Sequence, residues 1–432
     1  MRKERIIVEK IKNLLAAGKH RRIEQFAVMF VALAVALVGV TVGCFAQYMG
    51  KSNEDLETTA VWGGKFTTSR TDVTGNVTGV YTSKDKTQAL VLLKFEDMSN
   101  MSVDADNYQV FLTNAQAVGN GSELKTRPQG SIYMFGSSGY MGIYLYSTQG
   151  FQPQVLQVTV RCNQELKESD DSESLKKDYA SDESFAKHDQ FTLMVNPGAS
   201  ETKSLDCLDK GSGQVPTVKE LYNQAVVKTE EADIHKQLDD KLSEMKIALN
   251  KIDEYTNRLT NTDNMNVPEP PAAIKGDKIE SKKDDDGKET LTLKPASVVP
   301  GGYDFDWRSR SVTDGWLDEL IKKTDTPNMT YDQYFAEQNK AAKASKDSVT
   351  NFDIVWTFSD GAELASLNQE SARYKQAQTD VNNLTSAWNE YYQAKVAYQR
   401  TLLGQLLELE AEASMVDSSA SINTSKDVIT CY

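Results

Sequence analysis

Acid–base, nucleophilic or metal chemistry would have to come from histidines, cysteines or paired carboxylates, and the chain holds only three histidines and four cysteines. His20 stands in a basic leader. His188 precedes Asp189 at the edge of a predicted strand, and His235 lies in a predicted helix with no second histidine four residues away. This placement supplies neither a histidine metal site nor a triad. Asp284-Asp285-Asp286-Gly287 has the composition of a calcium loop. Lys282 falls at the first ligand position of an EF-hand frame and Leu293 at the closing one, so the run reads as a solvated acidic turn. Gly119-Asn120-Gly121 and Gly136-Ser137-Ser138-Gly139 open no predicted helix and read as turns. No cofactor, metal or catalytic residue is expected. A carbohydrate-active enzyme using paired carboxylates is the least favoured alternative, because no acidic pair is set apart from the rest.

Beyond Cys44, the cysteines are Cys162, Cys207 and Cys431, with no CxxC pair among them. A Cys162–Cys207 bridge would close one predicted domain and leave Cys431 over, and three reduced thiols are the alternative. Aromatic side chains are the remaining candidates. Tyr140, Tyr144 and Tyr146 share one strand face near Tyr133, where they would either grip a partner or sugar ring or pack beneath an acidic insertion. Trp388, Tyr391 and Tyr398 lie on a helical seam and are expected to anchor a partner.

The elements that position these residues follow from hydropathy. With 432 residues but only 39% hydrophobic, the chain is no polytopic membrane protein. Phe26 to Ala46 is nearly all apolar, and its length matches the ~20 residues needed to cross a bilayer. The basic leader 1–25, with Ile7, Val8, Ile11, Leu14 and Leu15 at helical spacing, places the N-terminus in the cytoplasm and the rest of the chain outside. Cleavage after Ala46 is the competing reading. Eight of 48 basic and three of 62 acidic residues precede Gln47, leaving 40 against 59, a formal −19, beyond it. Nucleic acid is not an expected partner.

From 56 to 198 the apolar period is two, and eight strands between Trp62 and Val195 predict an immunoglobulin-like antiparallel β-sandwich. Ala89 to Phe95 is an apolar run of the central-strand kind. Asn163 to Lys187 carries eight acidic and four basic residues, too polar for core. Residues 199–217 have linker composition. Over 218–262, Ile234, Leu238, Leu242, Met245, Leu249, Ile252, Tyr255 and Leu259 form one stripe of a first long helix. Residues 263–360 read as a mixed cap with a mobile acidic hinge at Lys275 to Lys288, containing strands at Leu291 to Leu293 and Phe352 to Phe358 and helices at Thr313 to Lys323 and Tyr331 to Lys346. A second long helix spans 361–414, with Leu367, Tyr374, Val381, Trp388 and Leu402 at heptad spacing and Ala377, Leu384, Tyr391 and Tyr398 complementing them. Lys395 interrupts the seam. The two helices are expected to pair as an antiparallel, coiled-coil-like hairpin, and the Ser-rich tail 415–432 to be disordered.

A single-pass cell-envelope protein with a structural or adhesive role follows, with the bilayer as one partner and envelope proteins or itself as the other. An adaptor of an export or conjugation machine is the alternative. If residues 26–46 are a retained anchor, chain extracted from membranes begins at or near Met1, and protease outside whole cells removes the mass beyond Gln47. A mature terminus at Gln47 would contradict the anchor.

Overall fold

The computed structural model describes residues 54–115, 123–164, 188–210, 214–283, 289–294 and 354–432, with short stretches and single positions between 298 and 340. The leader 1–25, the apolar run 26–46, most of the acidic insertion, Asp284-Asp285-Asp286 and most of the helix expected over Tyr331 to Lys346 lie outside them. No helix among the described residues is long and apolar enough to cross a membrane.

Nine strands cover the region of the predicted sandwich: β1 (Val61–Gly63), β2 (Lys65–Thr67), β3 (Thr74–Thr82), β4 (Gln88–Phe95), β5 (Tyr108–Asn114), β6 (Gln129–Met134), β7 (Tyr140–Tyr146), β8 (Leu156–Cys162) and β9 (Gln190–Val195). They are followed by β10 (Lys203–Ser204), β11 (Met265–Asn266), β12 (Lys278–Lys283), β13 (Glu289–Lys294), β14 (Thr357–Phe358), β15 (Ser421–Asn423) and β16 (Ile429–Cys431). An outer sheet has the order β1-β9-β8-β5-β16, and a middle sheet β10-β3-β4-β7-β6-β15 with β2 on β3. The chain switches sheets at Gly64, where β1 pairs with β9 and β2 with β3.

Side-chain alternation divides the middle sheet's two faces. Val91, Leu93, Ile132, Ile143 and Leu145 meet Val110, Leu112, Val158, Val160 and Leu193 of the outer sheet in one core. Leu90, Leu92, Tyr133, Phe135, Tyr140 and Tyr144 point the other way and pack with Leu221, Tyr222 and Val226. Both faces of β4 are therefore covered, which is why its apolar run does not alternate with polar residues. The fold has three layers: sheet, sheet and helices.

The first long helix, α1, runs through Val218–Tyr222, a π turn at Asn223–Val227 and Lys228–Asn261. Thr217 and Glu220 form a capping box at its start. The second, α2, runs through Ala372–Val396, a π turn at Ala397–Leu402 and Leu403–Ser419, with the Ser371 hydroxyl accepting from the Tyr374 amide. Arg258 pairs with Asp380 at 2.9 Å, Lys251 with Glu390 at 2.7 Å and Lys219 with Asp417 at 3.6 Å. The falling order against the rising one shows that the helices lie side by side in opposite directions. The predicted stripes face each other. Ile234, Leu238, Leu242, Met245, Ile252 and Leu259 are buried against Ala377, Val381, Leu384, Trp388 and Tyr391.

Three expected segments differ. In the supposed linker 199–217, β10 pairs in parallel with β3, and Leu205, Cys207 and Leu208 are buried. Of the expected hinge, Lys278–Lys283 forms β12, which pairs with β13 in a two-stranded ribbon. The tail 415–432 is not disordered: α2 continues to Ser419, β15 adds to β6 and β16 adds in parallel to β5, placing one strand on the edge of each sheet. Its polar residues serve the edges, as where the Ser421 hydroxyl accepts from the Ala105 amide at 2.6 Å. Val428 and Ile429 enter the sandwich core.

Two outcomes follow. Ending the chain at Ala420 removes the burial of Val428 and Ile429, each worth ~1.5–3 kcal/mol, and uncovers an edge of each sheet; thermal denaturation should show a clearly lowered midpoint, whereas an unchanged midpoint would mean the tail is not docked. Burial also pushes the phenols of Tyr133, Tyr140, Tyr222 and Tyr391 above their ordinary value, and Tyr144 up to about 12. These groups stay protonated in the folded chain and ionise when it unfolds, so their contribution is complete below about pH 10 and is lost as pH rises above it. Alkaline titration should show their tyrosinate absorbance appearing in one step with loss of helical signal. Gradual ionisation of every tyrosine with the helices intact would contradict their burial.

Candidate functional site

The residues expected to anchor a partner point inward. Trp388 is 1% exposed and stacks on Trp356 with ring centroids 6.1 Å apart. The Tyr391 hydroxyl donates to Asp277 Oδ2 at 2.8 Å, and Tyr398 Oη accepts from Trp307 Nε1 at 2.8 Å. Tyr140 donates to Glu230 Oε1 at 2.6 Å beneath the Lys94 ammonium, Tyr144 donates to Gln88 Oε1 at 2.9 Å, and Tyr146 is half-buried against the same core. The tyrosine face packs into the core that the middle sheet shares with α1. Hydrophobic period shows which face of an element is apolar, not which neighbour covers it. None of these residues offers an exposed anchor in this chain.

The expected disulfide is also absent. Cys162, Cys207 and Cys431 are free. Cys162 borders the core between the sheets, whereas Cys207 belongs to the core between sheet and helices, so the middle sheet separates them. Burial raises the thiol pKa of all three, and that of Cys207 to about 11, which leaves them protonated and weakly reactive at neutral pH.

Buried charges mark where the long insertion between the helices is fastened. Glu231 of α1 accepts from the Ser311 hydroxyl and the Val312 amide, both at 2.8 Å. Glu410 of α2 accepts from the amides of Trp316 at 2.8 Å and Leu317 at 2.9 Å. Two carboxylates, one from each helix, thus hold a single short segment. Nearer the middle of α2, Lys395 and Asp277 form an ion pair with both side chains fully buried, and Lys395 Nζ also donates to the Ala273 carbonyl at 2.8 Å. The residue that interrupts the apolar seam is therefore an anchor for the segment 273–277. At the far end, burial and then the adjoining Asp380 carboxylate push Asp263 upward against the opposing Arg258. His235 stands beside Trp307, and burial lowers its pKa. Among the described residues, no group of three or more His, Cys, Asp or Glu side chains is placed to hold a metal ion.

An open groove of the helix pair lies on its solvent side. Lys241, Glu244, Ile247, Ala248 and Lys251 of α1 face Asn389, Glu390, Gln393, Ala394 and Ala397 of α2 across a groove of about 610 Å3. Its floor is alanine. Lys251 bridges to Glu390 at 2.7 Å, Lys241 pairs with Glu244 at 2.6 Å, and Ile247 stands 58% exposed between these charged pairs. The sequence carried one sign of this surface, since Ile247 falls off the apolar stripe of α1 onto its polar face. No protein-family model, curated protein or solved structure matches the chain.

Proposed function

We propose that the chain is a structural, protein-binding component of a cell envelope. Residues 26–46 tether it as a single-pass protein with the leader in the cytoplasm, and an immunoglobulin-like sandwich carries the antiparallel helix pair outside the membrane. The role is one of contact, not catalysis. The observation that carries this reading is the groove between α1 and α2, where a large aliphatic side chain is left in solvent beside an alanine floor. An isolated exposed aliphatic residue is ordinary on a protein surface; one standing over an apolar hollow between two rigid helices is a docking arrangement.

Two further features support a scaffold. The buried carboxylates Glu231 and Glu410 accept backbone amides of the insertion, which leaves them committed to architecture. The excess of acidic residues beyond Gln47 disfavours polyanionic partners. A photo-crosslinking amino acid replacing Ile247 in the full chain, irradiated in the membranes of cells that make it, is expected to give one discrete protein adduct. The same probe at Asp253, on another face of α1, should give none. No adduct from position 247 would refute the groove as the contact surface.

A further inference from the structure

We infer that the groove receives a second copy of this chain, with the two α1 helices crossing in antiparallel fashion about a two-fold axis beside Ile247; this rests on the reading of the groove as the contact surface. The face carries both halves of a fit. Ile247 protrudes, and the hollow beside it is floored by Ala248, Ala394 and Ala397, small enough to admit an aliphatic side chain. A knob and a hole on one surface satisfy each other when that surface meets itself about a two-fold axis.

Charge order selects the direction of crossing. In an antiparallel crossing, a residue a given number of positions before the axis meets one the same number after it. Setting Ile247 against Ala248 of the second copy brings Glu244 opposite Lys251 and Lys241 opposite Glu254, so the charged residues of α1 that line the groove each meet an unlike charge. A parallel crossing would set Lys251 against Lys251 and Glu244 against Glu244. The groove lining also balances, with Lys241 and Lys251 against Glu244 and Glu390, in a chain whose formal net charge is −14. Such a balanced face lets two strongly acidic molecules approach without local repulsion. Apolar contact supplies the attraction, and the ion pairs, individually weak on a surface, set the register.

The test uses the full chain in detergent solution, its mass measured by sedimentation across a concentration series. The parent is expected to be a dimer. Glu244→Lys faces lysine with lysine across the axis and Lys251→Glu faces glutamate with glutamate, so each alone should raise the dissociation constant about tenfold or more, a change of ~1.4 kcal/mol. Mixed in equal amounts, the two variants face only unlike charges along α1 and should form a heterodimer of near-parent strength. Ile247→Asp alters a solvent-exposed side chain, should keep the parent's helical circular dichroism, and should be monomeric. A monomeric parent, single variants that dimerise as the parent does, or a mixture no stronger than either variant alone would each overturn the self-pairing. If the parent is monomeric while the probe at position 247 still captures a different protein, self-pairing fails and the contact-surface reading stands. If neither association is seen, both fall.

Discussion

Burial of the middle sheet on both faces is the constraint from which the rest of the architecture follows. One face of β4 and β7 supplies Val91, Leu93, Ile143 and Leu145 to the sandwich core, and the other supplies Leu90, Leu92, Tyr140 and Tyr144 to a second core shared with the helices. Neither helix could leave without exposing that second face. The choice of tyrosine at this seam has a physical reason, because each ring covers apolar area while its hydroxyl reaches a polar group at the boundary. Tyr133 donates to the Pro216 carbonyl at 2.8 Å just before α1 begins, and Tyr222 of α1 donates to Glu412 of α2 at 3.1 Å. A buried hydroxyl left without a partner would cost ~1–3 kcal/mol, so the bonds also fix where the helices sit.

The helices in turn hold what is inserted between them. Their joint apolar stripes leave no room for charge, yet Lys395 lies within the seam and is fully buried with Asp277. Breaking such a pair from one side costs ~3–5 kcal/mol because the remaining charge is stranded, which makes it a strong condition on the position of segment 273–277. Glu231 and Glu410 impose the same kind of condition at Ser311 to Leu317. None of these contacts occupies the side of the helix pair that carries the groove around Ile247, the surface proposed here for protein contact.

Strong period is what made the architecture legible from sequence. Strands such as β7 and β8 alternate over seven residues, and the α1 stripe repeats over many turns, so both announce themselves. The two- and three-residue strands β10, β15 and β16 are too short to show any period, and β10 and β15 have the polar composition of a loop. The crossing of the chain from one sheet to the other at Gly64 is likewise a matter of pairing, not of local preference. At the candidate site the sequence shows Trp388, Tyr391 and Tyr398 as one seam but not its cover, which Trp356, Trp307 and Asp277 of the insertion supply. Ile247, which the stripe excludes, is left in solvent.

The central claim is that the sandwich and helices form one cooperative structure through the middle sheet, and native-state hydrogen exchange of the full chain measures this directly. Amides of β4 from Ala89 to Phe95 and amides of α1 from Leu238 to Ile252 should exchange through the same global opening, with equal free energies and the same dependence on denaturant. Helix amides that exchange through a separate, lower-energy opening while β4 remains protected would contradict the account.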